Sequence, residues 1–94
     1  MSFLAEVVFY AGKRRCLPAD GYRPDAIFNE HQDYWGITFT ELTVKQFDIP
    51  ILATIEFTFQ DSHYQEIAPD QTFRIMEGPH QVGEGKVLFI GKHN

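Results

Sequence analysis

The hydrophobic pattern along this chain has the two-residue period of strands rather than the 3.6-residue period of helices. "FLAEVVFY" (Phe3–Tyr10) is apolar on both parities apart from Glu6, which predicts a strand with both faces largely covered. "AGKRRCLPADG" (Ala11–Gly21) gathers Gly12, Pro18, Asp20 and Gly21 into a loop. In the following "GYRPDAIF", Pro24 biases Arg23 toward extended geometry, so a corner leads into a short strand at Ala26–Phe28. "NEHQD" (Asn29–Asp33) is polar and reads as a turn. "YWGITFTEL" (Tyr34–Leu42) alternates, with Ile37 and Phe39 on one side and Thr38 and Thr40 on the other. Val44–Pro50 is a connection. In "ILATIEFTF", Ile51, Ala53, Ile55, Phe57 and Phe59 share one face, which marks the most secure core strand.

Gln60–Gln71 is the longest polar stretch, with room for one helical turn before Pro69 stops it. "TFRIMEG" (Thr72–Gly78) is a short strand and "PHQVGEGKVLFIG" (Pro79–Gly91) the last one. Gly83 and Gly85 inside a strand point to a bulge, a sharp bend or a close backbone approach. The outcome is about six short strands with short connections, which favours antiparallel pairing in one all-β domain spanning residues 1–94. Closing such a sheet into a barrel removes its exposed edges.

Size sharpens this picture. A chain of 94 residues must build a dense core from little material, and nine Phe, four Tyr and one Trp supply it. The net charge of −5 disfavours general affinity for nucleic-acid backbones. The basic run "GKRR" (Gly12–Arg15) reads first as a solvated turn and second as a phosphate or acidic-partner contact. The lone Cys16 permits no internal disulfide, which fits a reducing compartment. There is no signal-peptide pattern and no apolar run of about 18 residues, so a cytoplasmic protein without membrane contact is expected.

Catalytic and cofactor chemistry finds little footing. His31, His63, His80 and His93 form no i, i+4 pair, so no metal site is expected. "VGEGKV" lies within a strand and has Val87 where a nucleotide-binding loop needs Ser or Thr, so neither nucleotide nor other cofactor is expected. The carboxylates mostly flank turns. Core filling is the ordinary use of Tyr10, Tyr22, Tyr34, Trp35 and Tyr64; near strand ends they also offer anchors for a protein partner or a homodimer.

Three stretches recur together and in order in one family. "GYRP" (Gly21–Pro24), "FRIMEG" (Phe73–Gly78) and "VGEGKV" (Val82–Val87) resemble the C-terminal β-barrel, the third domain, of bacterial translation elongation factor Tu, here as a stand-alone protein. The similarity runs over roughly residues 3–90. It implies a six-stranded antiparallel closed β-barrel. Gly21 and Pro24 would shape a rigid corner, Gly83 and Gly85 would let the closing strand bend, and Glu77, next to Gly78, would pair with Arg23. The GTPase domain of the factor has no counterpart in the sequence, so GTP hydrolysis is not expected.

The family's third domain helps to hold the T-arm of aminoacyl-tRNA, and Arg14 and Arg23 fall on family arginines near that surface. Asp25 stands where glutamine is usual, and Met76 and Pro79 replace a cation and a glycine. The expected function is therefore a non-catalytic protein-binding module associated with translation, or one that mimics or competes with the factor. Its candidate contacts are Arg14, Arg15, Tyr22, Arg23 and Trp35. The alternative is tRNA binding through Arg14, Arg15 and Arg23, disfavoured by the net charge; a small enzyme with an unrecognised site is the second alternative.

Overall fold

The computed structural model describes residues 1–28, 33–59 and 61–91. Six strands follow one another: β1 (Ser2–Phe9), β2 (Asp25–Phe28), β3 (Trp35–Leu42), β4 (Ile51–Phe57), β5 (Thr72–Glu77) and β6 (His80–Gly91). A 3-10 helix, Asp61–Gln65, is the single helical turn for which the polar stretch before Pro69 has room. The strands close into an antiparallel barrel in the order β1-β4-β3-β2-β5-β6. The polar turn expected at Asn29–Asp33 lies, apart from Asp33, outside the described residues, as do His31 and His93.

Alternation sends one parity of each strand inward. Phe3, Ala5, Val7 and Phe9 of β1 meet Ile37 and Phe39 of β3, Ile55 and Phe57 of β4, Phe73 and Ile75 of β5, and Val87 of β6 in one core. The first strand is therefore one-sided, where apolar residues on both parities predict two covered faces. Leu4 and Val8 are only half-buried, because the sheet closes on itself and nothing among the described residues packs outside it. Phe3, Phe28, Trp35, Phe57 and Phe73 form an aromatic cluster in one half, with Phe28 and Phe73 stacked at 4.8 Å. Phe9, Tyr22 and Phe39 form a second in the other half. Among the described residues none that is polar or charged is fully buried, and no buried side-chain nitrogen or oxygen lacks a hydrogen-bond partner. None of their helices is long and apolar enough to cross a membrane.

One predicted position moves. Phe59, expected on the inner face of the fourth strand, is 85% exposed. The strand ends at Phe57; the Thr58 amide still donates to the Gly36 carbonyl (2.9 Å) in the β3/β4 register, and only beyond it does the alternation lapse, with the Phe59 ring lying over Gly36. Phe89 also points outward. The register β1/β6 slips between Leu4↔Phe89 and Ala5↔Val87, leaving Leu88 as the extra residue of a bulge that reverses the parity after it.

The glycines of β6 are there for close approach. A side chain on Gly83 would run into the Val8 carbonyl oxygen, and one on Gly85 would enter the Phe73 ring. The Gly21–Pro24 corner prolongs the short β2 alongside β3: the Gly21 amide donates to the Phe39 carbonyl (2.7 Å), the Phe39 amide to the Tyr22 carbonyl (2.9 Å) and the Ile37 amide to the Pro24 carbonyl (3.0 Å). Gly21 has φ +85°, a conformation that glycine alone adopts without strain.

The alternating strands give the barrel two distinct ends. The corner rim carries the loops Tyr10–Pro24 and Thr43–Pro50 and the turn Gly78–Pro79; the helix rim carries the connections from β2 to β3 and from β4 to β5. Tyr64 secures the second of these, its hydroxyl donating to the Met1 carbonyl (2.8 Å) and accepting from the Phe57 amide (3.0 Å).

Candidate functional site

Polar chemistry concentrates on the corner rim. Here the long loop after β1 folds back over the barrel mouth, tied by the Asp48 amide to the Phe9 carbonyl (2.7 Å), the Ala11 amide to Asp48 Oδ1 (3.1 Å) and the Leu42 amide to Asp20 Oδ1 (2.7 Å). This places Arg14 above the end of β5. Arg14 Nε lies 2.6 Å from Glu77 Oε2, its Nη1 donates to the Cys16 carbonyl (2.6 Å), and its guanidinium carbon sits 4.7 Å from the centre of the Tyr22 ring. The Tyr22 hydroxyl donates to the same Glu77 oxygen. Arg14 and Tyr22 thus share one carboxylate oxygen of Glu77, which lies far along the chain. The expected Glu77–Arg23 pair is replaced by this arrangement: Arg23 is exposed, while the extended corner turns Tyr22 and Pro24 toward the barrel.

The five residues expected to form one contact set are therefore divided. Arg14 and Tyr22 stand together with Glu77. Arg15 and Arg23 are exposed on the same rim. Trp35 lies at the opposite end, only 8% exposed, in tilted contact with Phe28 (5.5 Å) and edge-on to Phe57 (5.8 Å). Two of the three arginines named for RNA remain outward, and the third is held by Glu77, the Cys16 carbonyl and the Tyr22 ring. A phosphate approaching its Nε would compete with Glu77 for a charge-assisted bond.

Burial shifts the Tyr22 phenol well above its ordinary value of 10.0, helped by the bond it donates to Glu77 and by that carboxylate's charge; the nearby Arg14 acts in the opposite direction. Tyr10 is raised more modestly, first by burial and then by its bond to Glu84 (2.9 Å). A phenol whose folded pKa lies above its unfolded one holds its stabilising effect below about pH 10 and loses it as the pH rises further. Tyr22→Phe is expected to cost about 1 kcal/mol at pH 8. It should also flatten the fall in urea midpoint between pH 9 and pH 11, measured beside Tyr10→Phe. An unchanged pH slope in Tyr22→Phe would show that the phenol–carboxylate bond does not hold the loop.

The described residues contain no cluster of three or more His, Cys, Asp or Glu side chains with metal-binding geometry. The corner-rim triad ties the loop after β1 to the end of β5. Cys16 is exposed, and it is its backbone oxygen that joins the triad.

Sequence reasoning passed over several exposed apolar groups. Leu52 is 60% and Phe89 64% exposed. Both belong to one outer surface, because Leu4 of β1 faces Phe89 on one side and Thr54 on the other, with Leu52 one outward position further along β4. Leu52 carried a signal, being apolar on the parity opposite to Ile51 and Ala53. Phe89 carried none, since the bulge that turns it outward is a tertiary feature. No protein-family model matches this chain, and no curated protein matches it significantly.

Proposed function

We propose that this barrel is a non-catalytic protein-binding module akin to the third domain of elongation factor Tu, acting beside the translation machinery or in competition with the factor. The observation that carries the binding role is the outer surface of β4, β1 and β6. Leu52 and Phe89 leave most of their apolar area in water there, with half-buried Leu4 between them. Large apolar side chains grouped on a surface are the usual mark of a docking site. The interior supports the non-catalytic part, because aromatic and aliphatic side chains fill it. Kinship with the factor rests on the three motifs in order, together with a barrel of six strands.

The test is capture from the organism's own extract on immobilised protein, beside Leu52→Asp/Phe89→Asp, with and without ribonuclease. Both positions are exposed, so the double variant should fold normally and melt within a few degrees of the parent. A partner of this surface should lose about 100-fold in affinity toward the variant, as when central anchors of an interface are removed. Proteins retained equally by the variant would sink this surface as the binding site. Capture abolished by ribonuclease would instead assign the exposed Arg15 and Arg23 to an RNA.

A further inference from the structure

The helix rim holds a cleft of about 440 Å³ lined by Asp33, Tyr34, Trp35, Gly36, Phe59 and His63. Its size falls in the range of about 300–1,000 Å³ typical of small-molecule sites. Trp35 and His63 supply one side, their rings parallel within 8° and 3.8 Å apart between centres. His63 Nδ1 lies 3.3 Å from Glu66 Oε2, which fixes the imidazole from its far side. Phe59 lies across Gly36: a side-chain carbon on that glycine would come within 3.1 Å of two Phe59 ring atoms, so the absence of one there seats the ring. Yet 85% of Phe59 and 47% of Tyr34 stay open to solvent, and Asp33 is exposed beside them.

The open groups of this lining favour a cation. Aromatic faces attract cations through their quadrupole, and a carboxylate adds a full negative charge. Among the described residues no lysine or arginine lines the cleft, His63 is turned to Glu66, and the whole chain carries −5, all of which disfavours an anion. The Trp35 face is already occupied by His63, which leaves the Tyr34 and Phe59 rings as the open faces. An apolar ligand alone would use the rings and waste Asp33, whereas a strongly hydrated inorganic cation would use Asp33 and waste the rings. A cation with an apolar shell uses both. We infer that this cleft binds a quaternary ammonium group, between the Tyr34 and Phe59 rings and against the Asp33 carboxylate. This inference is independent of the outer β4–β1–β6 surface.

Trp35 is the chain's only tryptophan and lines the cleft, so its fluorescence reports occupancy directly. Choline, Nε-trimethyllysine and the neutral isostere 3,3-dimethylbutan-1-ol are titrated at constant ionic strength, with binding positions checked by amide chemical shifts. The cations should saturate with dissociation constants of about 1–10 mM, and the isostere should bind at least about fivefold more weakly. Phe59→Ala and Tyr34→Ala should each weaken choline about fivefold, and Asp33→Asn about threefold. All three side chains are exposed, so these variants keep the fold. Tighter binding of choline than of trimethyllysine supports the site with a free small molecule as its source; the reverse supports it with a modified side chain as its source. Equal affinity for the neutral isostere, no saturable response to about 100 mM, or variants that bind like the parent would each overturn the inference.

Discussion

Gly85→Ala is expected to destabilise the barrel by about 2–3 kcal/mol, although it adds one methyl group. Gly85 is not in a glycine-only conformation; its φ does not fall in the left-handed region. The cost comes from the opposite strand. A side-chain carbon at Gly85 would stand 2.8 Å from Phe73 Cε1 and Cε2 and closer still to Cζ. That ring has little room to move away, because it stacks on Phe28 at 4.8 Å and meets Phe3 edge-on at 6.0 Å. Trimming the ring should make room. Gly85→Ala combined with Phe73→Leu is therefore expected to be less destabilised than the sum of the two single changes, by about 1 kcal/mol or more in urea unfolding. Gly83→Ala is expected to cost as much but to find no such rescue, since its obstacle is the Val8 carbonyl oxygen, a backbone atom held in the β1/β6 ladder. Additive behaviour of Gly85→Ala with Phe73→Leu would refute the steric account.

The second large effect contrasts two phenylalanines. Phe28→Ala is expected to cost about 3–5 kcal/mol. A domain of this length is stable by roughly 5–15 kcal/mol, so the variant should sit near the edge of folding. Phe28 is fully buried and touches Phe3, Trp35, Phe57 and Phe73, so its removal empties the point where four strands converge. Phe59→Ala should change stability by less than about 0.5 kcal/mol, because its ring is already largely in water. Thermal or urea unfolding of the two variants measures the difference directly. A loss at Phe59 comparable to that at Phe28 would mean that the Phe59 ring is buried in the folded protein.

These cases mark where local sequence is informative and where it stops. The alternation of Ile51–Phe57 survives folding, because a closed barrel has an inside and an outside and the period of two maps onto them. Gly83 and Gly85 were legible as a place of close approach, and a strand facing Val8 and Phe73 is what they permit. The Gly-Tyr-Arg-Pro corner was legible as extended, since proline limits its neighbour. Phe59 departs from the pattern because β4 ends at Phe57: the Thr58 amide still bonds in register, and the ring after it lies over Gly36 in water. Phe89 faces outward because one extra residue, Leu88, inverts everything after it.

The candidate site was less legible than the fold. Arg14, Tyr22 and Glu77 were each singled out, but their meeting depends on a loop folding back across 63 residues of sequence separation, which no spacing rule encodes. The same holds for the cleft. Asp33, Tyr34 and Trp35 are adjacent in the chain, while Phe59 and His63 arrive from the far side of β4.

The placement of β1 between β4 and β6 has a kinetic consequence. Of the six barrel strands, β1 precedes the others in the chain and finds no neighbour until the fourth appears, and the ring shuts only when the sixth arrives. Its alternating phenylalanine, alanine and valine must wait for partners some 45 to 90 positions downstream. Such a chain is expected to fold in milliseconds to seconds rather than microseconds, with its slow step the joining of the two ends of the sequence rather than the making of any single hairpin.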